Sequence, residues 1–310
     1  MNLDFVSSNT SLYGEKNLIA ALDIGSNAVR FSVAKKKKSS YKLLHRMRIP
    51  LRFGADVFST GFIDGSTVEN AIHIFKLLKE YKASHQIETF RATATSAFRD
   101  AKNAQEVIKR IHEKSGIHIE VIDGQEEAKM IFNAVKSQLK LENNRALLID
   151  IGGGSLELTY YNGRKISATK SFDIGTVRLL NKPRILSGMK KDIREFLKKN
   201  VPDQDEFLII GTGGNLRRLG KLRRKIFNKT NSAKVKTKEI SEIEGIIKEL
   251  SIEERMKQLD MRKDRAEVIS PAIDILKACL ENLKAEEMLL PNVGLIDGIF
   301  TSLISNRPYN

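Results

Sequence analysis

LIAALDIGSNAVRFSVAKK, Leu18–Lys36, returns in altered form as ALLIDIGGGSLELTYYNGR, Ala146–Arg164. Each copy runs an apolar strand into Asp-Ile-Gly, turns through small polar residues and leaves along a second strand. The copies set Asp23 and Asp150 at the same point, the end of a buried strand, 127 residues apart. A glycine turn lets backbone N–H groups approach phosphate oxygens, because no Cβ stands in the way. A carboxylate just before such a turn is placed to hold magnesium directly or through water. Two such hairpins facing each other would make a two-sided phosphate clamp.

At 310 residues the chain is long enough for two domains, since single cores stop growing near about 250–300 residues. Hydrophobic content of 41% beside 29% charged residues supplies two cores of a soluble protein. Apolar runs such as 146–151 and 207–210 are too short to span a bilayer, so no membrane partner is expected. The opening MNLDFVSSNTSLYGEKN has neither a basic start nor an apolar core and reads as a frayed leader. One cysteine, Cys279, excludes an internal disulfide and a cysteine metal site, and its apolar neighbours read as a buried helix face. A cytoplasmic location follows most simply. The excess of 53 basic over 38 acidic residues, a net charge of +15, favours polyanionic ligands. With no tryptophan and no nucleic-acid module, a specific nucleic-acid partner is not expected. A monomer and a homodimer both fit this composition.

Along the chain, 41–50 reads as a third strand, and Ser66–Glu69 as a capping box opening a helix. A strand at 87–95, a helix at 104–114 closed by Gly116, a strand at 117–122 and a helix at 126–139 follow. The second copy opens with strands at 147–151, 156–161 and 165–172. A helix-rich stretch, the strand 207–210, the turn Gly211–Gly214 and a basic helix come next. The segments 237–258 and 265–284 each read as one helix. The repeat is therefore of whole α/β lobes rather than a short solenoid unit, with a cleft between them as the usual ligand site.

This duplicated hairpin and lobe order resembles the ribonuclease H-like fold shared by actin, Hsp70 and the acetate and sugar kinases. Six segments narrow the resemblance: DIGSNAVRF at Asp23, ATATSAFRDAKN at Ala92, DGQEEAKMIF at Asp123, DIGGGSLEL at Asp150, FDIGTVRL at Phe172 and GTGGNLRRLGK at Gly211. Together they are similar to the exopolyphosphatase/guanosine pentaphosphate phosphohydrolase family, over about residues 18–300. The expected organisation is an N-terminal lobe at 1–128, a C-terminal lobe at 129–310, and a terminal helix of about 295–310 packing back on the first. Longer relatives carry a region resembling an HD hydrolase domain. This chain has no His-Asp dipeptide, so no HD-type domain is expected. It departs from the family at Asn215, where threonine is usual, at Ala272, where glycine is usual, and at Ile296, where an arginine is lost. These departures bear on substrate fit and interlobe packing more than on chemistry.

Hydrolysis of a phosphoanhydride needs neutralised charge, an aligned water and a base. No serine–histidine or cysteine nucleophile signature is present, so water attacks and a carboxylate is the natural base. The candidates are Glu126 and Glu127, and the resemblance implies Glu127, with Glu126 as the alternative. Asp150 and Glu157, seven residues apart across the second turn, could share one magnesium ion, with Asp23 facing them from the other lobe. The phosphate donors expected are the backbone N–H groups of Ser26, Asn27, Gly153, Gly154 and Ser155, with the guanidinium groups of Arg30 and Arg99. Arg99 matches a phosphate-contact position of the family. Gly175 and Thr176 mark a further turn. In the basic helix, Arg217, Arg218, Lys221, Arg223, Arg224 and Lys225 would form a landing surface for a long polyanion. No Walker motif occurs, and IGGGSLE does not complete a Rossmann fingerprint.

The expected activity is magnesium-assisted release of terminal orthophosphate from inorganic polyphosphate. The rivals are the same hydrolysis of guanosine pentaphosphate, a non-catalytic polyphosphate or nucleotide sensor, and a phosphotransferase of the acetate or sugar kinase type.

Overall fold

Seven consecutive buried residues, Leu18–Ile24, make β1 the centre of the first sheet. A strand covered on both faces must be apolar throughout, so the single carboxylate in it, Asp23, stands out. The computed structural model describes residues 12, 14–202, 206–281 and 283–305. Residues 1–11 and 13 of the expected leader lie outside the described residues.

The chain divides into two units. The first holds the described residues up to Ala134 together with those from Leu295. Its elements are β1 (Leu18–Ile24), β2 (Val29–Lys36), β3 (Tyr41–Ile49), α1 (Phe53–Thr60), α2 (Gly65–Ser84), β4 (Thr89–Ala94), α3 (Ser96–Asp100), α4 (Ala104–Ser115), β5 (Glu120–Val121) and α5 (Gly124–Leu139). The boundary falls within α5. The second unit, Val135–Gly294, contains β6 (Arg145–Ile151), β7 (Leu156–Asn162), β8 (Ile166–Phe172), α6 (Thr176–Asn181), α7 (Ile185–Asn200), β9 (Leu208–Thr212) and α8 (Gly213–Ile226). It continues through β10 (Lys234–Lys236), α9 (Thr237–Glu249), α10 (Ile252–Gln258), α11 (Lys263–Ala266), α12 (Ile269–Leu280) and β11 (Glu287–Leu289). The last helix, α13 (Leu295–Ser305), returns to the first unit and packs on β1 and β2.

The first sheet has the order β3-β2-β1-β4-β5, and the second β10-β11-β9-β6-β7-β8. In each, an antiparallel three-strand meander is followed by a parallel crossover beside its first strand. These are duplicated ribonuclease H-like lobes, the fold of actin, Hsp70 and the sugar kinases. The repeat reaches fine detail. The register between the second and third strands slips after Val33 in one lobe and after Tyr160 in the other, again 127 residues apart. A bulge increases local twist, so both meanders curl at the same point.

Several boundaries differ from the sequence reading, each for a local reason. Asp64, not Ser66, caps α2: its Oδ1 accepts from the Ser66 N–H at 2.8 Å and from the Ser66 hydroxyl at 2.5 Å. A hydroxyl spent on a neighbouring carboxylate cannot cap the helix itself. The expected helix 237–258 is two helices, because Ser251 and Glu254 form a capping box that restarts the chain as α10. The segment 265–284 likewise divides, into α11 and α12. The strand 117–122 shrinks to the two residues of β5. Helices α1 and α3, and strands β10 and β11, are additional; each has eight residues or fewer, too few to show a period.

Gly298 sets the seat of α13. A Cβ there would lie 2.7 Å from the Met130 carbonyl oxygen of α5, so only glycine permits this approach. Gly298→Ala should therefore destabilise the chain by about 1–3 kcal/mol through overpacking, read as a lower midpoint in thermal unfolding. An unchanged midpoint would mean that α13 does not need this close contact.

Candidate phosphate and metal site

The two glycine turns are built alike. The N–H of Gly25 closes onto the Ala28 carbonyl at 3.2 Å, and that of Gly152 onto the Ser155 carbonyl at 3.0 Å. In the second turn the carbonyl groups of Gly152, Gly153 and Gly154 are all captured by α6. Gly152 O accepts from Thr176 N at 3.1 Å, and Gly153 O from Val177 N at 2.8 Å and Arg178 N at 3.1 Å. Gly154 O accepts from the Arg178 Nε at 2.7 Å. A trans peptide points its C=O and N–H in opposite directions. The N–H groups of Gly153, Gly154 and Ser155 are therefore turned away from α6. In the first turn the Gly54 N–H of α1 takes the Ser26 carbonyl at 2.8 Å, which turns the Asn27 N–H outward in the same way. The Ser26 hydroxyl meets that of Ser96 at 2.8 Å.

Gly175 lets the second turn pack this closely. A Cβ there would stand 2.4 Å from Gly154 N. Gly54 plays the same part in the first lobe, where a Cβ would stand 2.7 Å from the Ser26 Cβ.

The carboxylates differ between the copies. Asp23 pairs in register with Arg30, and Asp150 pairs in register with Glu157. Residues directly opposite on antiparallel strands share a face. In the first hairpin the result is an ion pair, Arg30 Nη1 to Asp23 Oδ2 at 2.7 Å. In the second, two buried carboxylates face the same way, 6% and 2% exposed, with an oxygen of each within 4.8 Å of the other. The Thr212 hydroxyl donates to Asp150 Oδ1 at 2.5 Å, and the Ser171 hydroxyl to Glu157 Oε1 at 2.8 Å. Like charges opposed in a low-dielectric site repel unless a cation joins them. Hard oxygen donors of this kind fit a magnesium ion.

Glu126 and Glu127 open α5, capped by Asp123, whose Oδ1 accepts from Gln125 N and Glu126 N at 2.8 Å each. Their side chains go to different arginines. Glu126 is held by Arg91 at 3.0 Å. The same guanidinium forks onto Glu120 at 2.8 and 3.0 Å and reaches the Ser302 hydroxyl of α13 at 3.2 Å. Hydrogen bonds to Glu120 above all raise the Arg91 pKa, against the opposing effect of its burial. Glu127, buried at 9% exposure, accepts from Arg99 Nη1 at 3.1 Å, and that arginine also donates to the Ile122 carbonyl at 2.9 Å. The structure thus brings Arg99 to Glu127, Arg30 to Asp23, and Asp150 to Glu157.

A family model described as the Ppx/GppA phosphatase family matches residues 32–307. The chain belongs to this family. Among curated relatives, it is 27% identical to the bifunctional 3-dehydroquinate synthase/phosphatase of Fusobacterium nucleatum, over 95% of this chain and 48% of that protein. It is 26% identical to the guanosine-5'-triphosphate,3'-diphosphate pyrophosphatase of Photobacterium profundum, over 94% of this chain and 60% of that one. The chain thus spans about half the length of the curated relatives it matches. Among solved structures, its fold is similar to that of an exopolyphosphatase from Cytophaga hutchinsonii, with a TM-score of 0.84 at 22% identity, covering 94% of this chain and 99% of that one. It is also similar to the Aquifex aeolicus Ppx/GppA family member, with a TM-score of 0.76 at 26% identity and the same coverage.

Of the Ppx/GppA chain's departures noted in the sequence, Asn215 is buried, donating to the Thr176 hydroxyl at 3.1 Å and accepting from Arg265 at 2.7 Å. Ala272 and Ile296 are buried among apolar neighbours of α12 and α13. The basic helix α8 does not present all its charges. Arg223 is buried, ion-paired to Glu239 at 2.7 Å and donating to the Asn231 carbonyl at 2.9 Å. It is therefore a structural cation and not part of a landing surface. Arg217 and Arg218 also have protein partners, the Asn292 side chain and the Asp260 carbonyl.

Burial pushes the Glu239 carboxyl up, but hydrogen bonds from Arg223 and the Lys236 N–H outweigh it and leave its pKa below the ordinary glutamate value. A lowered folded pKa means that the pair's stabilisation is complete above the unfolded value, about 4.3, and is lost as pH falls through the folded one. Glu239→Gln should leave a buried unpaired guanidinium and cost about 3–5 kcal/mol at neutral pH. It should also flatten the acid limb of a stability–pH curve measured in urea. Wild-type stability in this variant at pH 7 would show the pair to be dispensable.

Proposed function

We propose that this chain is a phosphohydrolase that releases terminal orthophosphate from inorganic polyphosphate, acting with magnesium in the cytoplasm. The opposed pair Asp150 and Glu157 is the observation that carries the reading. Two buried carboxylates side by side on one face of the hairpin, next to the second glycine turn, fit a divalent cation that would join them. Bound there, magnesium would neutralise phosphate charge and order its oxygens.

The remaining roles belong to the chain itself. Backbone N–H groups of Ser26, Asn27, Gly153, Gly154 and Ser155 would hold phosphate oxygens. Arg99 would add a planar pair of donors. Glu127 would accept the proton of the attacking water, as the carboxylate on a capped helix start that shares its arginine with the phosphate. Glu126 serves less well, because Arg91 ties it to Glu120 and α13. Arg30 would turn from Asp23 to phosphate. Asp23 would then stand beside Thr93, which holds the same register position that Thr212 holds beside Asp150.

The net charge of +15 favours a long polyanion over a compact nucleotide. Guanosine pentaphosphate is the second reading, supported by the similarity to the guanosine-5'-triphosphate,3'-diphosphate pyrophosphatase of Photobacterium profundum. A phosphate-release assay with both substrates side by side decides between them. No release from either would overturn the hydrolase reading and leave a binding role.

Glu127→Gln should keep the fold and reduce turnover by about 10²–10⁴-fold, the usual worth of general base catalysis. Glu126→Gln should lower the melting midpoint while leaving turnover within a few-fold. The reverse pattern would transfer the base to Glu126.

Chelator should abolish phosphate release and added magnesium restore it, with Asp150→Asn raising the magnesium concentration required. Full turnover in metal-free buffer would overturn the metal assignment.

A further inference from the structure

Arg178 lies directly beneath the second glycine turn and has no place in the chemistry described above. It is 8% exposed, and its Nε donates to the Gly154 carbonyl at 2.7 Å. Its backbone N–H, with that of Val177, donates to the Gly153 carbonyl. The turn is pressed so closely onto this segment that a Cβ at Gly175 would overlap Gly153 and Gly154. A peptide packed against backbone on that side has no room to flip.

We propose that Arg178 is a positioning residue for phosphate binding. It fixes the Gly154–Ser155 peptide with its N–H directed outward and places a permanent positive charge behind the turn. The proposal rests on the reading of that turn as a phosphate site. Three physical effects support it. A carbonyl that accepts a charged hydrogen bond polarises its peptide, so the N–H on the other side becomes a stronger donor. A guanidinium inside the protein is less screened than one in water, so its charge reaches an anion on the far side of the turn. The Nε–H of arginine is set in a rigid plane, whereas a lysine ammonium on a flexible stem cannot hold a carbonyl in one direction as firmly.

The test is a titration of isotopically labelled protein with inorganic orthophosphate, following the amide resonances of Gly153, Gly154 and Ser155, in wild type, Arg178→Lys and Arg178→Gln. Saturable shifts at these amides are expected in the wild type. Both variants should keep a native-like spectrum elsewhere and bind orthophosphate about 10-fold more weakly, the scale of a lost charge-assisted hydrogen bond. Where phosphate release is measurable, the same variants should raise KM for polyphosphate without moving the pH profile of kcat, which a displaced base would move. Equal orthophosphate affinity in wild type and in natively folded variants would overturn the proposal. So would the absence of shifts at these three amides in the wild type, or loss of the native spectrum in both variants, which would make Arg178 a folding residue. If the wild-type amides respond and the variants bind weakly while no substrate is hydrolysed, the positioning role stands and the hydrolase reading falls.

Discussion

The direction of a few peptide planes governs the rest of the second lobe. A glycine turn presents N–H groups to an anion only if its carbonyl groups have somewhere else to go. Here that somewhere is α6 and Arg178, which together take the carbonyl oxygens of Gly152, Gly153 and Gly154. Buried backbone groups are almost always paired, so satisfying the carbonyls on one side orients the donors on the other. The requirement reaches outward: α6 must begin at Thr176, residue 175 must be glycine, and β8 must end where it does. The first lobe meets the same requirement with α1 and Gly54. One backbone constraint thus accounts for two short helices and two glycines that look incidental in isolation.

Duplication conserved that backbone and let the charges part. The position opposite the strand-end aspartate is arginine in the first hairpin and glutamate in the second. The aspartate with an arginine across from it forms an ion pair. Two opposed carboxylates set like charges side by side, and hydroxyl donors from Thr212 and Ser171 orient them. Identical scaffolds can therefore supply different chemistry, and the difference lies in residue 157 rather than in any loop.

Much of this was legible in the sequence because it rests on local pattern. The offset of 127 residues, the apolar run before each Asp-Ile-Gly and the helix stop at Gly116 are all short-range signals, and the matching register slip follows from the same repeat. What the pattern concealed depends on partners far along the chain. Arg223 reads as one charge among six on a helix, and only the arrival of Glu239 makes it a buried ion pair. Glu126 and Glu127 are adjacent and chemically alike, and their burial and separate arginine partners, Arg91 and Arg99, tell them apart in the fold. Strands β10 and β11 have three residues each, held by pairing between segments more than 50 positions apart. The break before α10 was present in the sequence as Ser251 and Glu254, but the surrounding helical charge pattern obscured it.

The three departures from the family pattern gain a physical sense from their surroundings. Ile296 replaces an arginine on a face of α13 that is buried in the first unit, where an apolar side chain needs no counter-charge. The adjacent Asp297 is not left alone: the Tyr41 hydroxyl donates to it at 2.8 Å, with Arg46 at 3.9 Å. Burial and the carboxylate together raise the Tyr41 pKa and keep the phenol a donor. Ala272 adds one methyl group inside α12, among residues already fully enclosed. Asn215 exchanges a hydroxyl for an amide, and an amide can donate and accept at separate atoms. It uses both, toward Thr176 on one side and Arg265 on the other. Since Thr176 begins the helix that takes the Gly152 carbonyl, this substitution acts on the same peptide planes from behind. The departures thus alter how the scaffold is braced, while every atom proposed to meet phosphate keeps the residue that the chemistry asks for.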